Sequence, residues 1–105
     1  MFSIKRGDSK IPLKAQLSRS ESGPVDLTDC AVRFIMADAA YRVVIDAPAE
    51  ILDAANGIVW YVFSEEATSV AGAYKAEFEV TFPDGRKETF PDNGFIPLTI
   101  NIDLG

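Results

Sequence analysis

Apolar and polar residues alternate with a period of two along much of this chain. Over residues 74–82, Tyr74, Ala76, Phe78, Val80 and Phe82 fall on one side, and Lys75, Glu77, Glu79 and Thr81 on the other. That spacing suits an antiparallel strand with one face on a core and one in water. Wound as a helix, the same apolar residues would scatter around the whole circumference. Ile96, Leu98, Ile100, Ile102 and Leu104 repeat the pattern against Pro97, Thr99, Asn101 and Asp103. Pro97 has no N–H to donate, which predicts a strand starting near a sheet edge or at a bulge. Leu13, Ala15 and Leu17 mark a shorter strand, and Val32, Phe34 and Met36 another. Residues 58–63 are apolar on both sides, which predicts a central strand or one whose second face is covered by a loop or partner.

Turn residues separate these runs. Ser22-Gly23-Pro24, Asn56-Gly57, Pro83-Asp84-Gly85 and Asp92-Asn93-Gly94 are clusters in which Gly or Asn supplies positive φ. Pro83-Asp84-Gly85 predicts a hairpin into a short strand over residues 86–90. The pattern is weakest over residues 38–55: two short strands at 42–46 and 49–52 fit, and the alanines there also suit a helix. Ser64-Glu65-Glu66-Ala67 has the serine and following acids of one short helical turn. Just after it, Ala71-Gly72-Ala73-Tyr74 looks like a tyrosine corner, in which a Tyr hydroxyl bonds backbone a few residues upstream. Ala76 stands where an antibody domain has a cysteine. The fold expected is all-β: an immunoglobulin-like antiparallel β-sandwich of about seven to nine short strands with no disulfide, forming a single domain over residues 1–105.

Composition narrows the function classes. No apolar run nears the roughly 20 residues of a membrane-crossing helix, so no membrane partner is expected. The opening Met1-Phe2-Ser3-Ile4-Lys5-Arg6 lacks an apolar leader and a small-residue cleavage site, which predicts synthesis in a cytoplasm. Cys30 is the sole cysteine; beside Ala31 and Val32 it reads as a small buried hydrophobe. The absence of histidine removes the usual general base and the commonest zinc ligand. A net charge of −6 argues against nucleic acid as partner. Charge is unevenly spread: Lys5, Arg6, Lys10, Lys14 and Arg19 against Asp8 make residues 1–19 +4, leaving −10 for the remainder. These bases read as solvated outer-face and edge-strand charges; the alternative is a basic end that docks on the acidic body of a neighbouring copy.

Candidate chemistry is sparse. A Ser, Cys or Thr nucleophile needs a base held by a third group, and no signature marks one. The acids on strands, such as Glu77 and Glu79, alternate outward, as a solvated face does. The glycines sit singly in turns and form no phosphate loop. No catalytic, cofactor-binding or metal-ligating residue is therefore assigned, and the chain is not expected to be an enzyme. Asp84, Asp92 and Asn93 would hold calcium only if their loops met at one end of the sandwich; neither has calcium-loop spacing, so both read as turn formers. Arg6-Gly7-Asp8 spells the integrin tripeptide and more simply turns the chain after a first strand. Tyr41, Trp60, Tyr61 and Phe63 would make a sugar-stacking platform if exposed, the basis of an alternative carbohydrate-binding or adhesive role, although large aromatics are usually core.

Several segments, in order, cover nearly the whole chain: Phe2-Ser3-Ile4-Lys5-Arg6-Gly7-Asp8, Pro24-Val25-Asp26-Leu27-Thr28 leading into Val32-Arg33-Phe34-Ile35-Met36, and Asn56-Gly57-Ile58-Val59-Trp60-Tyr61. Gly72-Ala73-Tyr74-Lys75-Ala76-Glu77-Phe78, Phe82-Pro83-Asp84-Gly85 and Glu88-Thr89-Phe90-Pro91 follow. Together they resemble the immunoglobulin-like N-terminal domain of siphophage baseplate upper proteins and its stand-alone relatives. The resemblance implies a non-enzymatic phage or prophage structural protein, an assembly module of a tail, baseplate or fibre. It implies other virion proteins as partners, self-association among the options, and a final place in the virion. It supplies no catalytic residue and no cofactor. The helical and receptor-binding segments that follow the domain in longer relatives have no counterpart among these residues.

Overall fold

The computed structural model describes residues 2–102. Its strands are β1 (Phe2–Lys5), β2 (Pro12–Gln16), β3 (Ser18–Arg19), β4 (Gly23–Pro24), β5 (Ala31–Ala37), β6 (Val43–Pro48), β7 (Glu50–Asp53), β8 (Ile58–Val62), β9 (Gly72–Thr81), β10 (Lys87–Phe90) and β11 (Ile96–Asn101), with one 3-10 turn at Glu66–Thr68. The larger sheet runs β1-β11-β9-β5-β6, with β10 also on β9; the smaller runs β2-β8-β7, and β3 pairs with β4. The two larger sheets form a sandwich. Across it, the Phe34 ring of β5 stacks on Tyr61 of β8 at 4.5 Å and meets Phe63 edge-on at 5.6 Å.

β9 organises the larger sheet. Its alternation buries Tyr74, Ala76, Phe78 and Val80, as the sequence predicts, while Phe82 lies half-buried past its end. β5 pairs along one side from Ala31↔Thr81 to Ala37↔Lys75. The other side is shared: β10 takes Phe78–Thr81 and β11 takes Gly72–Ala76. The Pro83-Asp84-Gly85 hairpin closes with Gly85 at φ 88° and the Phe82 N–H donating to the Arg86 carbonyl at 2.8 Å. The Tyr74 hydroxyl donates to the Val70 carbonyl at 2.7 Å, the bond expected of a tyrosine corner. The Ser64 hydroxyl accepts from the Ala67 N–H at 3.1 Å, fixing the predicted helical turn.

Three expectations are corrected. The sheet is mixed, not wholly antiparallel, because β1 lies parallel to β11 from Phe2↔Leu98 to Lys5↔Asn101. These strands come from opposite ends of the sequence, so no hairpin dictates their relative sense. β11 lies between β9 and β1, and Pro97 stands one residue before Leu98, where the described pairing with β1 begins, as a strand starting near an edge predicts. Its inward pattern stops at Ile100, since Ile102 is 69% exposed and Leu104 lies outside the described residues. Among the described residues eleven strands replace about seven to nine, because the strand run breaks at Leu17 and Gly23-Pro24 forms a two-residue strand against Ser18-Arg19.

Residues 38–55 are the two predicted strands, not a helix. The pattern was weak because they belong to different sheets: β6 pairs with β5, and β7 with β8. Ala49 alone links them, its N–H donating to the Val32 carbonyl at 2.9 Å. β8 is central in its sheet, as predicted; Val59 and Phe63 are buried, whereas Val62 is 41% exposed.

Candidate functional site

The residues singled out for chemistry are held apart, and most serve turns. Asp84 and Asp92 sit in the turns at opposite ends of β10 and do not converge. Asp84 accepts from the Arg86 N–H and, at 2.7 Å, from its Nε. Asp92 accepts from the Ser20 N–H at 3.1 Å and hydroxyl at 2.9 Å, tying β10's end to the β3–β4 hairpin. Hydrogen bonds from these backbone N–H groups, then from the side chains, hold both carboxyls below the usual aspartate range. Among the described residues, no three Cys, Asp or Glu side chains gather as a metal site.

Arg6-Gly7-Asp8 is a turn clamped to the 3-10 segment. Gly7 has φ 81°, its N–H donates to the Thr68 carbonyl at 2.9 Å, and the buried Thr68 hydroxyl donates to the Asp8 carbonyl at 2.7 Å. Cys30 is half-buried, not buried, because Ala31 begins the strand and Cys30 stands in the turn before it. Burial, then the charges of Asp26 and Asp29, push its thiol pKa up, the opposite of what a nucleophilic thiolate needs.

The four aromatics do not form a platform. Phe63 is core, Tyr61 packs on Phe34, and half-buried Trp60 donates Nε1–H to Glu50 at 3.2 Å. Tyr41 alone stands out, at positive φ, and it pairs with a residue that sequence reasoning missed. The Phe95 ring lies 6.3 Å from it, and the Lys75 ammonium sits 4.3 Å from the Tyr41 ring centre. Parity held the signal for Phe95: with Ile96 and Leu98 directed inward, positions 95 and 97 face out.

Two further surfaces stand out. A cleft of about 1000 Å³ opens between the β5–β6 turn and the β8–β9 connection, lined by Arg42, Val44, Tyr61, Glu66, Val70 and Tyr74 among others. Burial raises the Tyr61 phenol pKa there, so it stays a neutral hydroxyl at ordinary pH. The second surface is the sandwich's rim. Arg19 is engaged internally, its guanidinium bonding Glu88 at 2.7 Å and 3.1 Å. The other four bases of the N-terminal segment lie on β1, β2 or the loop between them.

No curated protein matches the chain. Among solved structures, the crystal structure of CopC from Methylosinus trichosporium OB3b superposes with a TM-score of 0.59 at 14% identity, covering 99% of this chain and 86% of that one. That likeness speaks to the fold alone. Residues 2–95 match the family described as the BppU N-terminal domain, and the chain therefore belongs to this family, the N-terminal domain of the phage baseplate upper protein.

Proposed function

We propose that the chain is a non-enzymatic structural module of a phage or prophage tail, acting as one domain over residues 1–105. In this reading it is made in the host cytoplasm and built into the virion, where its partners are other virion proteins, with neither nucleic acid nor membrane among them. The observation that carries the reading is family membership across residues 2–95. The rest agrees with it: Asp84, Asp92 and Arg6-Gly7-Asp8 brace turns, and a charge of −6 repels phosphate. The test is immunogold labelling of particles whose genome encodes the chain. Gold at a fixed point on the tail is expected; unlabelled particles, with the epitope accessible and the protein present in the lysate, would remove the virion role.

One observation favours a second reading as a carbohydrate-binding or adhesive module: the exposed Tyr41–Phe95 pair with Lys75 alongside. Glycan binding lost on Tyr41→Ala or Phe95→Ala would support it. No glycan binding by the unaltered chain would remove it.

A further inference from the structure

We infer that copies of this chain associate head to tail, the β1/β2 side of one sandwich meeting the β6/β7 side of the next. Such a contact deepens the structural reading above, on which it rests, by naming a second copy as one partner. The single-residue link at Ala49 puts β6 and β7 on the same side of the sandwich. Each is the last strand of its sheet, and β1 and β2 are the last strands at the other end of those same sheets. The molecule thus has two opposed sides, each ending in strands with one unpaired flank among the described residues.

Those sides are oppositely charged. Over residues 2–16, Lys5, Arg6, Lys10 and Lys14 against Asp8 leave a charge of +3. Over residues 43–53, Asp46, Glu50 and Asp53 with no base leave −3. Lys5, Lys10 and Lys14 are exposed and make no ion pair among the described residues. On the acidic side Arg33 reaches Asp46 at 2.8 Å, whereas among the described residues Glu50 and Asp53 bond only neutral groups, Trp60 and Asn56. On the same two strands Val43, Val44 and Leu52 are 60%, 50% and 42% exposed, which sets apolar surface beside the acids.

In the larger sheet strand sense agrees with the charges, whereas β2 and β7, both antiparallel to β8, would meet parallel. β1 is parallel to β11, which is antiparallel to β9; β9 is antiparallel to β5, and β5 to β6. β1 and β6 therefore run in opposite directions. Copies placed head to tail in one orientation bring them together antiparallel, the sense that gives the more stable pairing. The bulge opposite Met36 and Ala37 shortens the regular ladder β6 can offer, so charge and apolar contact carry most of the association. Because the two patches differ, association does not stop at a dimer.

The experiment measures mass by light scattering on the whole chain and on two charge-reversed variants, Lys5→Glu/Lys14→Glu and Glu50→Lys/Asp53→Lys. Circular dichroism verifies that each is folded. The unaltered chain is expected to grow past a dimer at low salt and to associate at least about tenfold more weakly in about 0.5 M salt. Each variant alone should stay monomeric. Their mixture should associate again, since each side then meets its opposite charge. An unaltered chain that stays monomeric up to about 1 mM at low salt overturns the proposal, as does association that stops at a dimer. If the variants misfold, the salt response of the unaltered chain still decides. Gold on the tail beside a monomeric chain would leave the virion role standing and remove only this contact.

Discussion

Tyr74 combines two jobs, with its ring 8% exposed in the core and its hydroxyl donating to the Val70 carbonyl. Tyr74→Phe keeps the packing and removes the bond, so a loss of about 1 kcal/mol is expected in urea unfolding, with the folded spectrum unchanged. This corner was legible because its parts are close in sequence. The roles of Asp84 and Asp92 were only half legible: their turns were foreseen, but the Ser20 contact spans 72 residues. These carboxyls, with Asp26 and Asp38, also set the acid limit. Hydrogen bonds lower all four below the ordinary aspartate value of about 3.9: from the Thr28 hydroxyl first for Asp26, and from backbone N–H groups first for the others. A carboxyl depressed in the folded state stabilises above its unfolded pKa and loses that contribution as pH falls through the folded value. The midpoint of thermal unfolding should therefore vary little on account of these groups between pH 7 and about 5, then fall below about 4. An unchanged midpoint at about pH 3 would contradict these assignments.

Strands with one wet face announced themselves, and β9, β5 and β2 stand where alternation puts them. Legibility failed where pairing is non-local. Nothing in residues 2–5 shows that β1 lies beside β11, and nothing in 43–53 shows the chain crossing between sheets at Ala49. Two turn glycines separate local from non-local constraint. Gly85 has φ 88° with nothing within 4 Å of an added Cβ, so Gly85→Ala should cost about 1 kcal/mol from backbone strain alone. Gly57 has φ 70°, and a Cβ there would lie 2.7 Å from the Leu17 carbonyl oxygen and 2.8 Å from that of Val25. Both are backbone atoms that cannot swing aside, so Gly57→Ala should cost clearly more, upward of about 2 kcal/mol. Equal losses in denaturant unfolding would mean that the Leu17–Val25 approach is looser than described.

For the whole molecule, the order of short landmarks carried more than any single motif, and the family match covers nearly the span they mark. The uneven charge was visible in the chain, but its division between opposite sides follows from sheet order, which no local pattern encodes. That sheet order has a mechanical consequence. β1 and β11 lie side by side and parallel, with the chain entering at the start of one and leaving at the end of the other. A pull on those two ends slides the strands past each other. It loads the four registered pairs from Phe2↔Leu98 to Lys5↔Asn101 at once, where a hairpin pulled open would yield them one by one. In the proposed structural role, tension along a tail would therefore meet this domain in shear, the direction in which its first and last described strands resist most.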